Sequence, residues 1–235
     1  MISFAKAIRL AASTLAGAAL GGAATTVGAD TVNLPFQIGG AFSVPVTSLK
    51  TARFRSMVHQ QFDFSCGSAA LSTLLTYHYG YVVNEQAVFE KMFAVGDREK
   101  IQREGFSLLD MKHYLAAFGF QADGFEAPLE KLEEAKIPAI VLVNEKGYNH
   151  FVVVKGIQGE RVLIGDPSGG TKALTRSAFN ALWTNGIFFV IYNRQELARF
   201  NLAQDWQAAP RAPIGGHGRD GAAGLALPKF GASDF

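Results

Sequence analysis

The sequence predicts an α+β fold in which N-terminal helices pack on an antiparallel sheet. Two observations carry that reading. Between residues 65 and 135 apolar side chains recur at helical spacing, with capping residues at the ends of the stretches. From residue 139 onward they fall in short β-branched runs separated by turn residues. Helices first and strands afterwards favour a helical layer on an antiparallel sheet over alternating βαβ units.

Taken in order, residues 1–29 stand apart from the fold. Lys6 and Arg9 precede a run of Ala, Leu, Gly, Ser and Thr, and Val27-Gly28-Ala29 suits the −3 to −1 positions of a cleavage site before Asp30. This is the layout of a secretory signal peptide, too short and Gly-rich for a permanent membrane span. No cysteine follows the cleavage site, which excludes a lipoprotein. Removing Lys6 and Arg9 takes the formal charge from +2 to zero. A near-neutral exported chain without a basic stripe has no footing for nucleic acid. One cysteine in 235 residues allows no internal disulfide.

Residues 30–57, with Gly39-Gly40 and Pro45, read as an N-terminal extension of one or two short strands packing against the domain. Residues 65–79 put Ala69, Leu71, Leu74 and Leu75 on one helical face, and Gly80 ends that helix. Asn84 caps a second helix reaching about residue 93. Ser107 with Asp110 reads as a capping box in its Asp form, opening a helix that Gly119 stops. Residues 128–135 form a short charged helix. Strands are expected at 139–143, 151–154, 162–164 and 187–191, with a hairpin turn at Gln158-Gly159 and a helix over 176–183. Residues 194–235, increasingly rich in Gly, Ala and Pro, are expected to be a flexible extension.

The chemistry centres on Cys66, in Gln60-Gln61-Phe62-Asp63-Phe64-Ser65-Cys66-Gly67-Ser68. A thiol where a loop turns into a helix meets the helix's positive end, which favours thiolate. Most lone cysteines are small buried hydrophobes, but Ser-Cys-Gly-Ser opening a helix is an odd choice for a core position. Gly67 leaves room for a substrate backbone, and a glutamine ahead of the cysteine can offer its amide to an oxyanion. Gln60 and Gln61 compete for that task.

A catalytic thiol needs a base, and the base needs an orienting group. Of the five histidines, His78 lies twelve residues along the cysteine's own helix, about 18 Å away at 1.5 Å per residue. His113 reads as a surface position, His217 falls in the tail and His59 sits on the short loop ahead of Cys66. His150 instead follows the loop Lys146-Gly147-Tyr148-Asn149 and begins the most apolar strand, a rigid support. Across the hairpin, Asp166 ends the next strand at nearly the same distance from the turn. Antiparallel pairing brings the two together, and the carboxylate then fixes the imidazole's tautomer.

Gln-x5-Cys-Gly, then His-Phe-Val-Val, then Asp-Pro resembles the bacteriocin-processing, double-glycine-leader cysteine peptidases, which are papain-like. The match runs over about residues 58–193. The resemblance implies Cys66 as nucleophile, His150 as general base and acid, Asp166 as orienter and Gln60 as oxyanion donor, with Gly67 and Asn149 against the substrate. It implies no metal or organic cofactor. Many members carry Asp immediately before the cysteine; here Ser65 stands there. Those domains commonly precede an ABC exporter's ATPase, whereas this chain holds no Walker A lysine loop. It therefore looks like the stand-alone exported members that accompany functional-amyloid and other surface-fibre secretion systems. That implies a periplasmic endopeptidase cutting an exported protein or peptide, with a Gly-Gly or small-residue site as the expected cut, beside secretion or fibre-assembly machinery. The alternative is a peptide-binding or secretion-adaptor domain on the same fold, for which an intact Cys66, His150 and Asp166 would have no use.

Overall fold

The computed structural model describes residues 30–36, 40–46 and 48–209. The expected signal peptide and residues 210–235 of the expected flexible tail lie outside them. Residues 1–46 and 47–235 are two units. In the first, β1 (Asp30–Phe36) and β2 (Gly40–Val46) pair antiparallel, Asp30 opposite Val46.

The second unit is organised by a sheet that is apolar on both faces. Strands β4 (Ala139–Glu145), β5 (Tyr148–Gln158), β6 (Arg161–Asp166) and β8 (Ile187–Ile191) are runs of apolar residues whose pleat sends neighbours to opposite sides. Ile140, Phe151, Val153, Phe189 and Ile191 join one core cluster. Ala139, Val141, Val152, Val154, Phe188 and Val190 join another. Each such side chain taken fully out of water contributes roughly 1.5–3 kcal/mol, so both faces need a cover.

One face is covered by α2 (Cys66–Thr73), α3 (Glu85–Val95), α4 (Arg98–Glu104) and α5 (Leu108–Ala117). The other is covered by α6 (Leu129–Ala135) and α7 (Arg176–Leu182), through Leu129, Leu132 and Phe179. The helices-on-sheet arrangement expected from the sequence is present, with this second helical cover added.

The sheet is six-stranded, in the order β3-β8-β4-β5-β6-β7. Its edges, β3 (Ala122–Glu126) and β7 (Gly170–Thr175), were not legible as strands. The first is Ala-Asp-Gly-Phe-Glu, mostly exposed and held by pairing to β8. Helix α4 escaped notice because only Ile101 of its seven residues is buried. A short α1 (Leu49–Arg53), capped by the Ser48 hydroxyl, also escaped. The expected caps are present: Asn84 accepts from the Ala87 N–H, and Ser107 and Asp110 form the capping box. The Gln158-Gly159 turn is realised with Gly159 at φ 57°, Gln158 pairing with Arg161.

After Thr73 the cysteine helix widens into a π-helical turn, Leu74–His78. His78 is thereby buried, its Nδ1 donating to the Arg199 carbonyl at 2.6 Å.

The expected flexible extension needs correction over residues 194–209, which are docked and end in α8 (Ala203–Trp206). A bulge in β5 at Val154/Gly156 breaks its pairing with β6. Asn201 fills the gap: its N–H donates to the Lys155 carbonyl at 3.0 Å and its Oδ1 accepts from the Ile157 N–H at 2.8 Å. Asp205 then meets the fully buried Lys155 ammonium at 3.2 Å. A strand with orphaned main-chain groups and a buried cation holds this segment despite its composition.

Candidate active site

The loop ahead of Cys66 is shaped by one buried carboxylate. Glu85, the first residue of α3, is 3% exposed. Its Oε1 accepts from the Ser65 hydroxyl at 2.6 Å, the Ser68 hydroxyl at 3.2 Å and the Gln61 N–H at 3.4 Å. Ser65, immediately before the cysteine, is thereby tied to a carboxyl group from α3. Ser65 also accepts from the Phe62 N–H at 3.1 Å, closing the turn that leads into α2.

Cys66 opens α2 and is buried. Burial pushes its thiol pKa up and the nearby Asp166 charge adds to this, while the Phe151 and Gly67 main chains work the other way through hydrogen bonds to the sulfur. Desolvation at this buried position thus opposes the help that the helix start gives the thiolate. Gly67 serves packing: a Cβ there would lie 3.0 Å from Met111 Cε and Phe106 Cβ. Asn149 lies along an open cleft of about 710 Å³ that also takes in Cys66, Phe106, Leu109, Leu142 and Tyr148.

His150 stands on β5 next to Phe151, whose main chain reaches the Cys66 sulfur. It is 7% exposed, and its ring lies on Tyr148 with centroids 5.8 Å apart. The Tyr148 hydroxyl donates to the Asp63 carbonyl at 2.9 Å, tying the His150 strand to the loop ahead of Cys66. Neither ring nitrogen has a full hydrogen-bond partner. Nε2 faces Asp166 Oδ2 at 3.5 Å, an ion-pair distance at the outer limit of a hydrogen bond. Loose contacts of this kind are common in unliganded sites.

Asp166 is 2% exposed and heavily supported. Its Oδ1 accepts from the Ser168 N–H at 2.9 Å, the Ser168 hydroxyl at 2.7 Å and the Gly169 N–H at 3.3 Å. Its Oδ2 accepts from Lys172 Nζ at 3.0 Å. Burial opposes ionisation, but the contacts from His150, Ser168 and Lys172 outweigh it and hold the carboxyl well below the usual carboxylate range.

Gln60 joins the two arms of the site. Its N–H donates to the Pro167 carbonyl at 3.1 Å, and its side-chain Nε2 donates to the Phe62 carbonyl at 3.1 Å. The Gln61 side chain is exposed. The other histidines stand apart: His59 Nδ1 pairs with the Gln60 carbonyl, His78 is buried against the C-terminal segment and His113 is exposed.

Glu145, His150 and Asp166 each bring one metal-capable atom to within 4.8 Å of the others. Lys172 lies among them, 3.0 Å from Asp166 and 3.9 Å from Glu145. Neither Glu85 nor Lys172 was singled out from sequence. The first looks like an ordinary acid at a helix start, and the second lies in a strand with no strand signature.

The Peptidase C39 family model matches residues 55–195. The chain is 44% identical over 167 residues to the probable functional amyloid protease FapD of Pseudomonas aeruginosa, covering 71% of this chain and 74% of that protein. It is 29% identical over 138 residues to the lactococcin-G-processing and transport ATP-binding protein LagD of Lactococcus lactis subsp. lactis, covering 57% of this chain and 18% of that one. Among solved structures, the peptidase domain of Streptococcus ComA shares the fold, with a TM-score of 0.50 at 23% identity, over 58% of this chain and 96% of that one.

Proposed function

We propose that this chain, which belongs to the Peptidase C39 family, cleaves an exported protein through Cys66, His150, Asp166 and Gln60. That it is a cysteine peptidase of papain-like fold is already given by its family and by the shared fold. The contact between His150 Nε2 and Asp166 Oδ2, on the strand whose Phe151 main chain reaches the Cys66 sulfur, carries the assignment of roles.

Burial raises the thiol pKa, and His150 takes the thiol proton to give the thiolate–imidazolium pair whose sulfur attacks the scissile carbonyl. Asp166, ionised at neutral pH, orients the ring and stabilises the imidazolium. The Gln60 amide turns from the Phe62 carbonyl to the developing oxyanion. His150 then protonates the leaving amine, and water activated by the same imidazole releases the acyl group from the sulfur.

The substrate and the setting rest on similarity and sequence. A relative 44% identical is named a probable functional amyloid protease, which supports an amyloid-forming exported protein as substrate. The signal-peptide layout of residues 1–29 supports cleavage in the periplasm, beside secretion or fibre-assembly machinery. A cut after Gly-Gly rests on the motif resemblance to double-glycine-leader peptidases, with the substrate lying along the cleft bordered by Tyr148, Leu109 and Phe106.

The purified protein incubated with a candidate secreted substrate, read by mass spectrometry, tests this. Turnover is abolished in Cys66→Ala and lowered in Asp166→Asn, with Cys66 still alkylated by iodoacetamide in the latter. Undiminished cleavage by Cys66→Ala would refute the nucleophile, and full activity of Asp166→Asn would place the acid elsewhere.

A further inference from the structure

We propose that Lys172 is a positioning residue of this site, the fixed internal cation that holds Asp166 and Glu145 together and takes up part of the carboxylate charge facing His150. The inference rests on the catalytic reading above and adds to it a residue that neither the motifs nor the family assignment names.

The argument is geometric. Asp166 Oδ1 is saturated by Ser168 and Gly169, so only Oδ2 is left for other partners. Two groups share that oxygen: Lys172 Nζ at 3.0 Å and His150 Nε2 at 3.5 Å. The lysine is the nearer. Its placement follows from strand register, because Lys172 on β7 pairs with Ile164 on β6. Positions two apart share a face, so Lys172 points to the same side as Asp166. On the far side of the imidazole β4 contributes Glu145, 3.9 Å from the same ammonium. The groups beside His150 are Asp166 from β6, Glu145 from β4 and Tyr148 from its own strand, with Lys172 from β7 on both carboxylates and Cys66 held by the main chain of the adjacent Phe151.

Glu145 and Asp166 bring their carboxylates close together beside His150, and the Lys172 ammonium lies within reach of both. Its side chain is one-third exposed, so solvent screens its field only in part. A positive charge here favours a thiolate at Cys66 and disfavours an imidazolium at His150. It therefore moves both edges of the pH range in which the thiolate–imidazolium pair exists toward acid. Removing it moves both edges toward alkali, by about one pH unit for a charge a few ångströms away in a partly solvated site.

The experiment is the rate of iodoacetamide alkylation of Cys66 against pH, read by mass spectrometry on the full chain. The wild-type profile comes first: a reactive plateau at low pH that collapses in His150→Ala establishes the ion pair. Its absence refutes the catalytic reading itself, independently of Lys172. Given the plateau, Lys172→Met shifts both limbs up by about one unit, while Lys172→Arg, which keeps the charge, leaves them in place. A Lys172→Met profile that coincides with wild type overturns the inference. So does a Lys172→Arg profile displaced as far as that of Lys172→Met, which would mean a packing role. Lys172→Gln reads the same way should the Met variant not fold.

Discussion

A lysine and an aspartate meet twice on strands β5 to β7, once on each face of the sheet, and the two meetings are built differently. On the α2 face, Lys155 and Asp205 are fully buried at 3.2 Å. The ammonium also donates to the Ser56 carbonyl at 2.9 Å and the Ser56 hydroxyl at 2.7 Å, and that hydroxyl donates in turn to Asp205. On the other face, Lys172 and Asp166 sit at the end of the sheet, with His150 touching the same carboxylate loosely and no partner on either ring nitrogen. The first cluster spends its hydrogen bonds on a fixed arrangement. The second leaves both nitrogens of its imidazole without a full hydrogen bond. The first cluster ties its lysine to several partners at once, with Asp205 Oδ2 left over, whereas the second holds its histidine by one long contact.

The largest expected effect tests the structural side. Asp205→Ala strands Lys155 as a buried unpaired charge and costs about 3–5 kcal/mol of stability in urea unfolding. An equal loss in Asp166→Ala would erase the contrast, making both clusters structural. Next, Gln60→Ala lowers turnover by about 10²–10³ while leaving the unfolding midpoint in place. A deficit of that size in Gln61→Ala instead would transfer the oxyanion role. Glu85→Gln weakens the charge-assisted bonds from Ser65 and Ser68 and lowers turnover about tenfold, with Cys66 still alkylated. A normal rate would show that the loop holds its shape without that charge.

The smallest effect concerns His78, whose burial and the nearby Lys155 push its pKa down to about 4. The unfolded chain protonates this histidine near pH 6.5, so its contribution to stability is complete above about 6.5 and is lost as pH falls toward 4. His78→Gln flattens the stability profile across that window and leaves the loss below about pH 4, where Asp166 protonates in the unfolded chain. An unchanged slope would place the acid sensitivity in other groups.

Cys66, His150 and Asp166 were legible because each sits at an element boundary that sequence pattern marks: a helix start, a strand start and an Asp-Pro turn. The four strands with β-branched runs were legible for the same reason. What escaped depends on partners distant in sequence. Lys172 and Glu85 act through residues 6 and 20 positions away, on other elements. Helix α4 and strand β3 bury too little to leave a periodic signature. The docking of residues 194–209 was not legible because composition describes the average of a segment, whereas it depends on single residues such as Arg199, Asn201 and Asp205.

That last segment changes where the protein ends as a thermodynamic object. The family match ends at residue 195, yet a fragment cut there would keep Lys155 in the interior and discard its counter-ion, and would reopen the bulge that Asn201 seals. Such a fragment would contain every proposed catalytic group and still be poorly folded. The family match ends ten residues before the counter-ion at Asp205, and the counter-ion decides what survives on its own.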